Sequence, residues 1–76
     1  MEIGMLWFDN DQQRPLVDKV KRAGVYYARK YGATPTVCFV HPGMLADAVK
    51  AVDGMALRAS QTLLPNHFWI GVSDGS

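Results

Sequence analysis

Residues 15–32 have the sequence PLVDKVKRAGVYYARKYG, which repeats apolar side chains at the spacing of an α-helix. Pro15 suits the first turn of a helix, and Gly32 suits the position just after the last turn. With about 100° of rotation per residue, one apolar stripe forms along this helix. Its members are Leu16, Val20, Ala23, Gly24, Tyr27 and Tyr31, with Val17 and Ala28 at the edge. The stretch therefore predicts one amphipathic helix packed on a core.

Two short apolar runs flank this helix, at residues 3–8 and 36–41. Each run is apolar on both faces of a strand, which is typical of strands buried inside a sheet. A strand, a helix and a second strand in that order predict a parallel βαβ unit with a right-handed crossover. We therefore expect the two strands to be parallel neighbours that end at the same edge of the sheet.

The second half of the chain completes the predicted sheet. Apolar residues between positions 44 and 52 recur at helical spacing, which predicts a short second helix ended by Asp53 and Gly54. Residues 55–60 and 67–72 predict two further strands joined by a loop. The expected fold is a small two-layer α/β sandwich in the order β-α-β-(short α)-β-β, with one main helix on a mixed four-stranded sheet.

The composition fits one small globular domain. The chain has 76 residues, of which 49% are apolar and 20% charged, with a net charge of +1. A core can therefore form, and a polyelectrolyte role for the whole surface is excluded. We expect a single domain over residues 1–72 and a flexible tail at 73–76. The apolar run near the start is too short for a signal peptide or a membrane span, so no contact with a membrane is expected.

The single cysteine, Cys38, excludes an internal disulfide and leaves no second thiol to hold a metal. Cys38 and His41 have a Cys-x-x-His spacing, and His67 is a third possible ligand, but alternation along a strand points the first two to opposite faces. We therefore expect no metal, no cofactor and a cytoplasmic location. Neither of the common glycine-rich phosphate-binding patterns occurs, which removes the usual support for nucleotide hydrolysis.

An enzyme hypothesis rests on Asp9 and His41, which follow the two predicted parallel strands. Ligands of open α/β sheets bind at the carboxyl ends of the strands, and a carboxylate beside an imidazole can orient the ring for proton transfer. The alternative is that Asp9 belongs to a turn with Asn10 and Asp11, and that His41 is a strand-end residue held by Pro42. No catalytic residue is assigned beyond these two candidates.

Positive charge is concentrated in the predicted helix. Residues 14–31 hold six basic and one acidic residue, whereas the rest of the chain holds two basic and six acidic residues. A basic helix face with an exposed aromatic ring could bind phosphates by charge, and a base or a protein partner by stacking. The alternative is a solvated face whose long side chains cover apolar surface. The candidate binding residues are Lys19, Arg22, Tyr26, Arg29 and Lys30.

The predicted layers hold more apolar side chains than they can cover. Trp7, Trp69 and the loop that contains Leu63 and Leu64 compete for one small core. Uncovered apolar area usually marks an interface, and a symmetric dimer is the commonest way to bury it. We therefore expect a homodimer whose interface includes Trp69 or the Leu63–Leu64 loop. The basic helix should stay outside that interface, because like charges would face each other across a twofold axis.

Four runs of the sequence, taken together, resemble a group of short uncharacterised bacterial proteins. The runs are LWFDND at 6–11, the spaced tyrosines, glycine and proline YY-x3-YG-x2-P at 26–35, CFVHP at 38–42 and LPNHFWIG at 64–71. The resemblance covers most of the chain and implies a small α/β fold. It implies no established activity and no catalytic residue.

Three functions remain open at this point. The leading hypothesis is a non-enzymatic accessory or interaction protein that works as a homodimer or docks on a partner protein. The alternative is a nucleic-acid-binding module that uses the basic helix at 15–31, which requires binding that weakens steeply with salt. The third is a small enzyme or ligand-binding site at the sheet edge near Asp9 and His41, which requires a cleft between those two side chains.

Overall fold

The computed structural model describes residues 4–45 and 50–73, and within them one α-helix packs on a mixed five-stranded sheet. The elements are β1 (Gly4–Phe8), α1 (Leu16–Tyr31), β2 (Val37–Val40), a 3₁₀ turn (Pro42–Met44), β3 (Ala51–Val52), β4 (Met55–Ala59) and β5 (His67–Gly71). The α/β class and the single main helix are confirmed. The predicted number of four strands is wrong, because the sheet has five.

Helix α1 matches its prediction at both ends. It begins after Pro15, which has an extended backbone and makes no side-chain cap, and it ends at Gly32. Gly32 has a left-handed φ of 68°, and its N–H donates to the carbonyl of Ala28 at 2.9 Å, so glycine supplies the backbone conformation that closes the last turn. No helix within the described ranges is both long enough and apolar enough to cross a membrane.

The strand order along the sheet is β1-β5-β2-β4-β3. Strands β1 and β2 each pair with β5 in antiparallel register, so they are parallel to each other but not neighbours. The prediction that they lie side by side is wrong, because the last strand of the chain inserts between them. Strand β2 pairs in parallel with β4 on its other side, which makes β2 a central strand.

The predicted short second helix is also wrong wherever the structure describes its residues. Val52 and Met55 form the last pair of an antiparallel hairpin, and the two residues between them are the loop. Asp53 and Gly54 have φ values of 50° and 83°, and two positive φ angles in a row are what a type I′ hairpin turn requires. Leu45 is extended at the end of the 3₁₀ turn. Residues 46–49 of the predicted helix lie outside the described residues.

The core lies between α1 and one face of the sheet. Val20, Ala23 and Tyr27 of the predicted stripe are fully buried, whereas Leu16 and Val17 are partly buried and Tyr31 is exposed at the end of the helix. From the sheet, alternate residues of every strand face the helix. These are Met5, Cys38, Val40, Val52, Met55, Leu57, Phe68 and Ile70.

Strand β1 differs from its prediction as a strand buried on both faces. Met5 is buried against the helix, but Leu6 is 57% exposed and Phe8 is 54% exposed on the opposite face. The reason is that, among the described residues, no helix or strand packs on that side of β1. At the other end of the chain, the N–H of Ser73 donates to Oγ1 of Thr36 at 2.7 Å, and residues 74–76 of the predicted tail lie outside the described residues.

Candidate binding surfaces

The structure separates Asp9 from His41. Because β5 lies between β1 and β2, the ends of β1 and β2 are two strand spacings apart, which is about 10 Å. Each side chain closes its own turn: Oδ1 of Asp9 accepts from the N–H of Asp11 at 3.0 Å, and Nδ1 of His41 accepts from the N–H of Gly43 at 3.0 Å. The two side chains therefore do not form a carboxylate–imidazole pair. Each belongs to a turn after its strand, as the alternative hypothesis predicts.

Asp9 instead forms an ion pair that stabilises the turn after β1. Its Oδ2 lies 2.9 Å from Nη1 of Arg14. Loss of hydration opposes ionisation of Asp9, but the N–H of Asp11 and the Arg14 guanidinium outweigh that effect. The charge of Lys19 adds to them, and the pKa of Asp9 is held below its usual value of 3.8. This contribution to stability is present above pH 3.8 and is lost as the pH falls through the lowered pKa.

The thiol of Cys38 lies inside the core, away from the surface. It is fully buried, and burial raises the pKa of its thiol to about 12. The thiolate is the form that attacks electrophiles and binds metals, so this thiol is poorly suited to either role. Across residues 4–45 and 50–73, no three His, Cys, Asp or Glu side chains come together as metal ligands.

We expect Cys38 to resist thiol reagents as long as the protein is folded. Both its burial and its raised pKa act in the same direction, so modification by Ellman's reagent at neutral pH should proceed only through opening of the core. The native protein should react on the order of a thousandfold more slowly than the protein unfolded in guanidinium. Stoichiometric modification of the native protein within the mixing time would contradict the burial of this thiol.

The exposed side of α1 and the edge strand β1 form a groove of about 400 Å³. Its floor is aromatic and aliphatic and its rim is basic. The lining residues are Trp7, Lys21, Arg22, Val25, Tyr26 and Arg29. Arg22, Tyr26 and Arg29 belong to the predicted basic face, and the structure brings all three to this one groove.

Three residues of the groove, Trp7, Lys21 and Val25, are not among the predicted binding residues, and Trp7 is the one that the sheet contributes. Its ring centroid lies 5.1 Å from that of Tyr26, with the two planes tilted by 48°. Its indole Nε1 is buried and has no hydrogen-bond partner in the part of the chain that the structure describes. Alternation along β1 places Trp7 on the helix side with Met5, and that alternation is the signal that could have linked it to α1.

Two other predicted residues of the basic face lie elsewhere. The side chain of Lys19 is buried, at 5% exposure, so the expectation that it belongs to the outward face is wrong. Its charge acts on Asp9 instead. Lys30 is exposed, but its Nζ lies 5.5 Å from the ring centroid of Tyr31, at the end of the helix and outside the groove. The exposed charge of the groove therefore comes from Lys21, Arg22 and Arg29.

The face of the sheet opposite α1 carries apolar side chains that no helix or strand of residues 4–45 and 50–73 covers, and of these Phe39 and Trp69 are partly buried. The pairing of β1 with β5 and of β5 with β2 places Leu6, Trp69 and Phe39 in one row across the sheet. Phe8 lies beside His67 in the next row, with the two rings 4.8 Å apart. We call the surface formed by Leu6, Phe8, Phe39 and Trp69 the open face.

The structure places the predicted dimer residues at or beside the open face. Leu63 and Trp69 line, together with Phe39, a depression of about 350 Å³ at the end of β2. Leu64 is 67% exposed in the same loop but does not line this depression. Within this loop, the hydroxyls of Ser60 and Thr62 form a hydrogen bond of 2.8 Å.

The indole of Trp69 lies over Gly4 at one end of this face. Gly4 and Gly71 pair directly across β1 and β5, and neither has a side chain to fill the space above them. A Cβ on Gly4 would overlap the six-membered ring of Trp69 and lie 2.8 Å from its Nε1. The absence of a side chain at position 4 is therefore what allows the indole to pack on the sheet.

Over the described residues, these features define a two-layer α/β domain in which α1 covers one face of the sheet and a basic aromatic groove lies beside the helix. No protein-family model, curated protein or solved structure matches the chain. The resemblance to a group of short bacterial proteins stays a prediction.

Proposed function

We propose that this chain is an interaction protein that works as a homodimer, with the open faces of two copies packed against each other. The observation that carries this proposal is the one-sided coverage of the sheet. Helix α1 covers one face, while Leu6 and Phe8 stay more than half exposed on the other. Two sheets that stack face to face lie about 10 Å apart with interdigitated side chains, which would give each copy its missing layer.

The charge on the open face favours a second copy as the occupant. Basic residues are concentrated on α1, which lies on the far side of the sheet. On the open face, the described strands contribute only Arg58 of β4 and His67 of β5 as titratable groups. Two copies can therefore approach through their apolar centres with little like-charge repulsion, and α1 stays outside the interface.

The size of the face sets the expected strength of the dimer. Five strands of up to five residues cover roughly 300 Å² of sheet per copy. Two copies would therefore bury roughly 600 Å² of sheet, which is below the roughly 1,200 Å² at which standard specific interfaces begin, so the loop that carries Leu63 must add to the contact and the dimer should be weak. We therefore expect a dissociation constant in the micromolar range and a reversible assembly.

Sedimentation equilibrium at micromolar concentrations should show a dimer that the double change Leu6→Gln and Phe8→Gln converts to a monomer. Both side chains are already more than half exposed, so their replacement should leave the fold of the monomer intact. The matched control is Val25→Gln, which alters an equally exposed apolar residue on α1. The control should stay dimeric, because α1 lies outside the proposed interface.

Two results would overturn this proposal. One is a mass of 8.4 kDa for the unaltered chain throughout the micromolar range. The other is a dimer that survives the double change at Leu6 and Phe8 but dissociates in the Val25→Gln control, which would place the contact on the helix. Circular dichroism of each variant would test whether the fold is retained. With the fold retained, a lower measured mass reports the loss of the dimer interface.

A further inference from the structure

We propose that the groove between α1 and β1 binds single-stranded nucleic acid, with one base stacked on Tyr26 and with the phosphates on either side held by Arg22 and Arg29. This site is on the opposite side of the sheet from the open face and does not depend on the dimer.

The floor of the groove suits a flat apolar ring. Tyr26 is about half exposed, and Trp7 packs behind it with ring centroids 5.1 Å apart. Val25 is also half exposed beside them. An exposed aromatic surface of this kind can stack any base, because every base has a π-face.

The basic residues of the groove are arranged around that floor. Arg22 and Arg29 are seven residues apart on α1, which is two turns or about 10 Å along the axis. Tyr26 lies between them on the same face. A base stacked on Tyr26 would therefore have a guanidinium on each side, which matches a nucleotide inside a strand, with one phosphate before it and one after it. A free mononucleotide has only one of these phosphates.

The guanidinium groups are available for a ligand. Arg22 and Arg29 are exposed, and neither makes an ion pair within the described ranges. Asp18 is one turn before Arg22 but forms no ion pair with it in the structure. Arg14, by contrast, is neutralised by Asp9. No described acidic residue therefore compensates the positive charge of the groove beside its exposed ring, whereas an acidic peptide would use the charge and leave the ring unused.

Fluorescence anisotropy with labelled oligothymidylate of about ten nucleotides tests the site directly. Arg22→Gln and Arg29→Gln should each weaken binding and reduce the slope of log affinity against log salt by about 0.7, the value for one phosphate on a single strand. With two phosphates, the unaltered chain should lose affinity about sevenfold between roughly 50 and 200 mM salt. The matched control is Lys50→Gln, which removes one positive charge from an exposed position just before β3, outside the groove, and should leave binding nearly unchanged.

Tyr26→Leu separates stacking from charge. It keeps an apolar side chain and the net charge of the chain, and it should weaken binding at least about fivefold without changing the salt slope. In a Trp69→Phe background, where Trp7 is the sole tryptophan, the oligonucleotide should quench the indole fluorescence. The double change at Leu6 and Phe8 should bind as tightly as the unaltered chain, so failure of the dimer and failure of this site are distinguishable.

Three outcomes would overturn the proposal. The first is no binding of oligothymidylate even at about 50 mM salt, where electrostatic contacts are strong. The second is full affinity in Tyr26→Leu, which would reduce the site to a patch of charge. The third is equal competition by poly-glutamate, which would indicate an acidic protein partner. Equal binding of thymidine monophosphate would likewise contradict a site that needs phosphates on both sides of the base.

Discussion

Replacing Phe68 with alanine is expected to lower the free energy of unfolding by about 3–5 kcal/mol. Phe68 is fully buried in β5, between β1 and β2, and its ring lies at the centre of the core under α1. Removal of the ring takes away its buried apolar area and leaves a cavity that the neighbouring strands cannot close. Since a chain of this length has a total stability of about 4–11 kcal/mol, the variant should be close to unfolding.

The matched control for Phe68→Ala is Phe8→Ala. The same atoms are removed from the neighbouring strand, but Phe8 is 54% exposed on the open face. Thermal denaturation followed by circular dichroism should show a melting temperature at least about 12 °C lower for Phe68→Ala than for the unaltered chain. Measured at protein concentrations below the dissociation constant of the proposed dimer, the loss for Phe8→Ala should be much smaller, apart from its contact with His67. Equal losses in the two variants would contradict the assignment of one covered and one uncovered face.

Gly4→Ala is expected to cost about 1–3 kcal/mol, which is the typical effect of forcing an extra carbon into a packed site. The new Cβ would overlap the indole of Trp69, so the ring must swing away from the sheet and expose apolar area. The melting temperature should fall by about 4–24 °C. The tryptophan emission should shift to longer wavelength, because the displaced ring gains contact with water.

A second glycine provides the control for this change. A Cβ on Gly24 of α1 would lie 2.8 Å from Cε of Met55, the mobile end of a flexible side chain, and alanine favours a helix by about 1 kcal/mol. Gly24→Ala should therefore leave the stability nearly unchanged. If Gly4→Ala were as stable as Gly24→Ala, the packing of Trp69 over position 4 would not be what requires glycine there.

The candidate sites differ in the structural information that is needed to predict them. The basic face at Arg22, Tyr26 and Arg29 was predicted from helical spacing, which depends only on the rotation per residue. The pairing of Asp9 with His41 required β1 and β2 to be neighbours, and β5 separates them. Lys19 was assigned to the outward face from its position on the helical wheel. It is buried, with its charge acting on Asp9 after the end of β1.

The hairpin at Asp53 and Gly54 has a signal in the sequence itself. Asp53 and Gly54 also fit the end of a helix, because glycine commonly follows a last helical turn. Asp-Gly between two apolar residues is also the strongest short-range signal of a two-residue hairpin, and Val52 and Met55 are those residues. Helical spacing over residues 44–52 favoured the wrong choice, although short apolar runs do not distinguish helix from strand by periodicity.

The sequence by itself determined the local elements: helix α1 between Pro15 and Gly32, and the strands β1, β2, β4 and β5 to within one or two residues. These depend on backbone preferences and on side-chain spacing between residues close in the chain. Only the tertiary structure decided that β5 inserts between β1 and β2, because strand order depends on pairing between residues some sixty positions apart, such as Met5 with Ile70. That insertion makes β1 an edge strand, with Trp7 beside Tyr26 on its helix side and with Leu6 and Phe8 on the open face. The basic residues of the groove follow from helical spacing, whereas the place of Trp7 beside them and the row of Leu6, Trp69 and Phe39 on the open face follow from strand order, which local patterns do not encode.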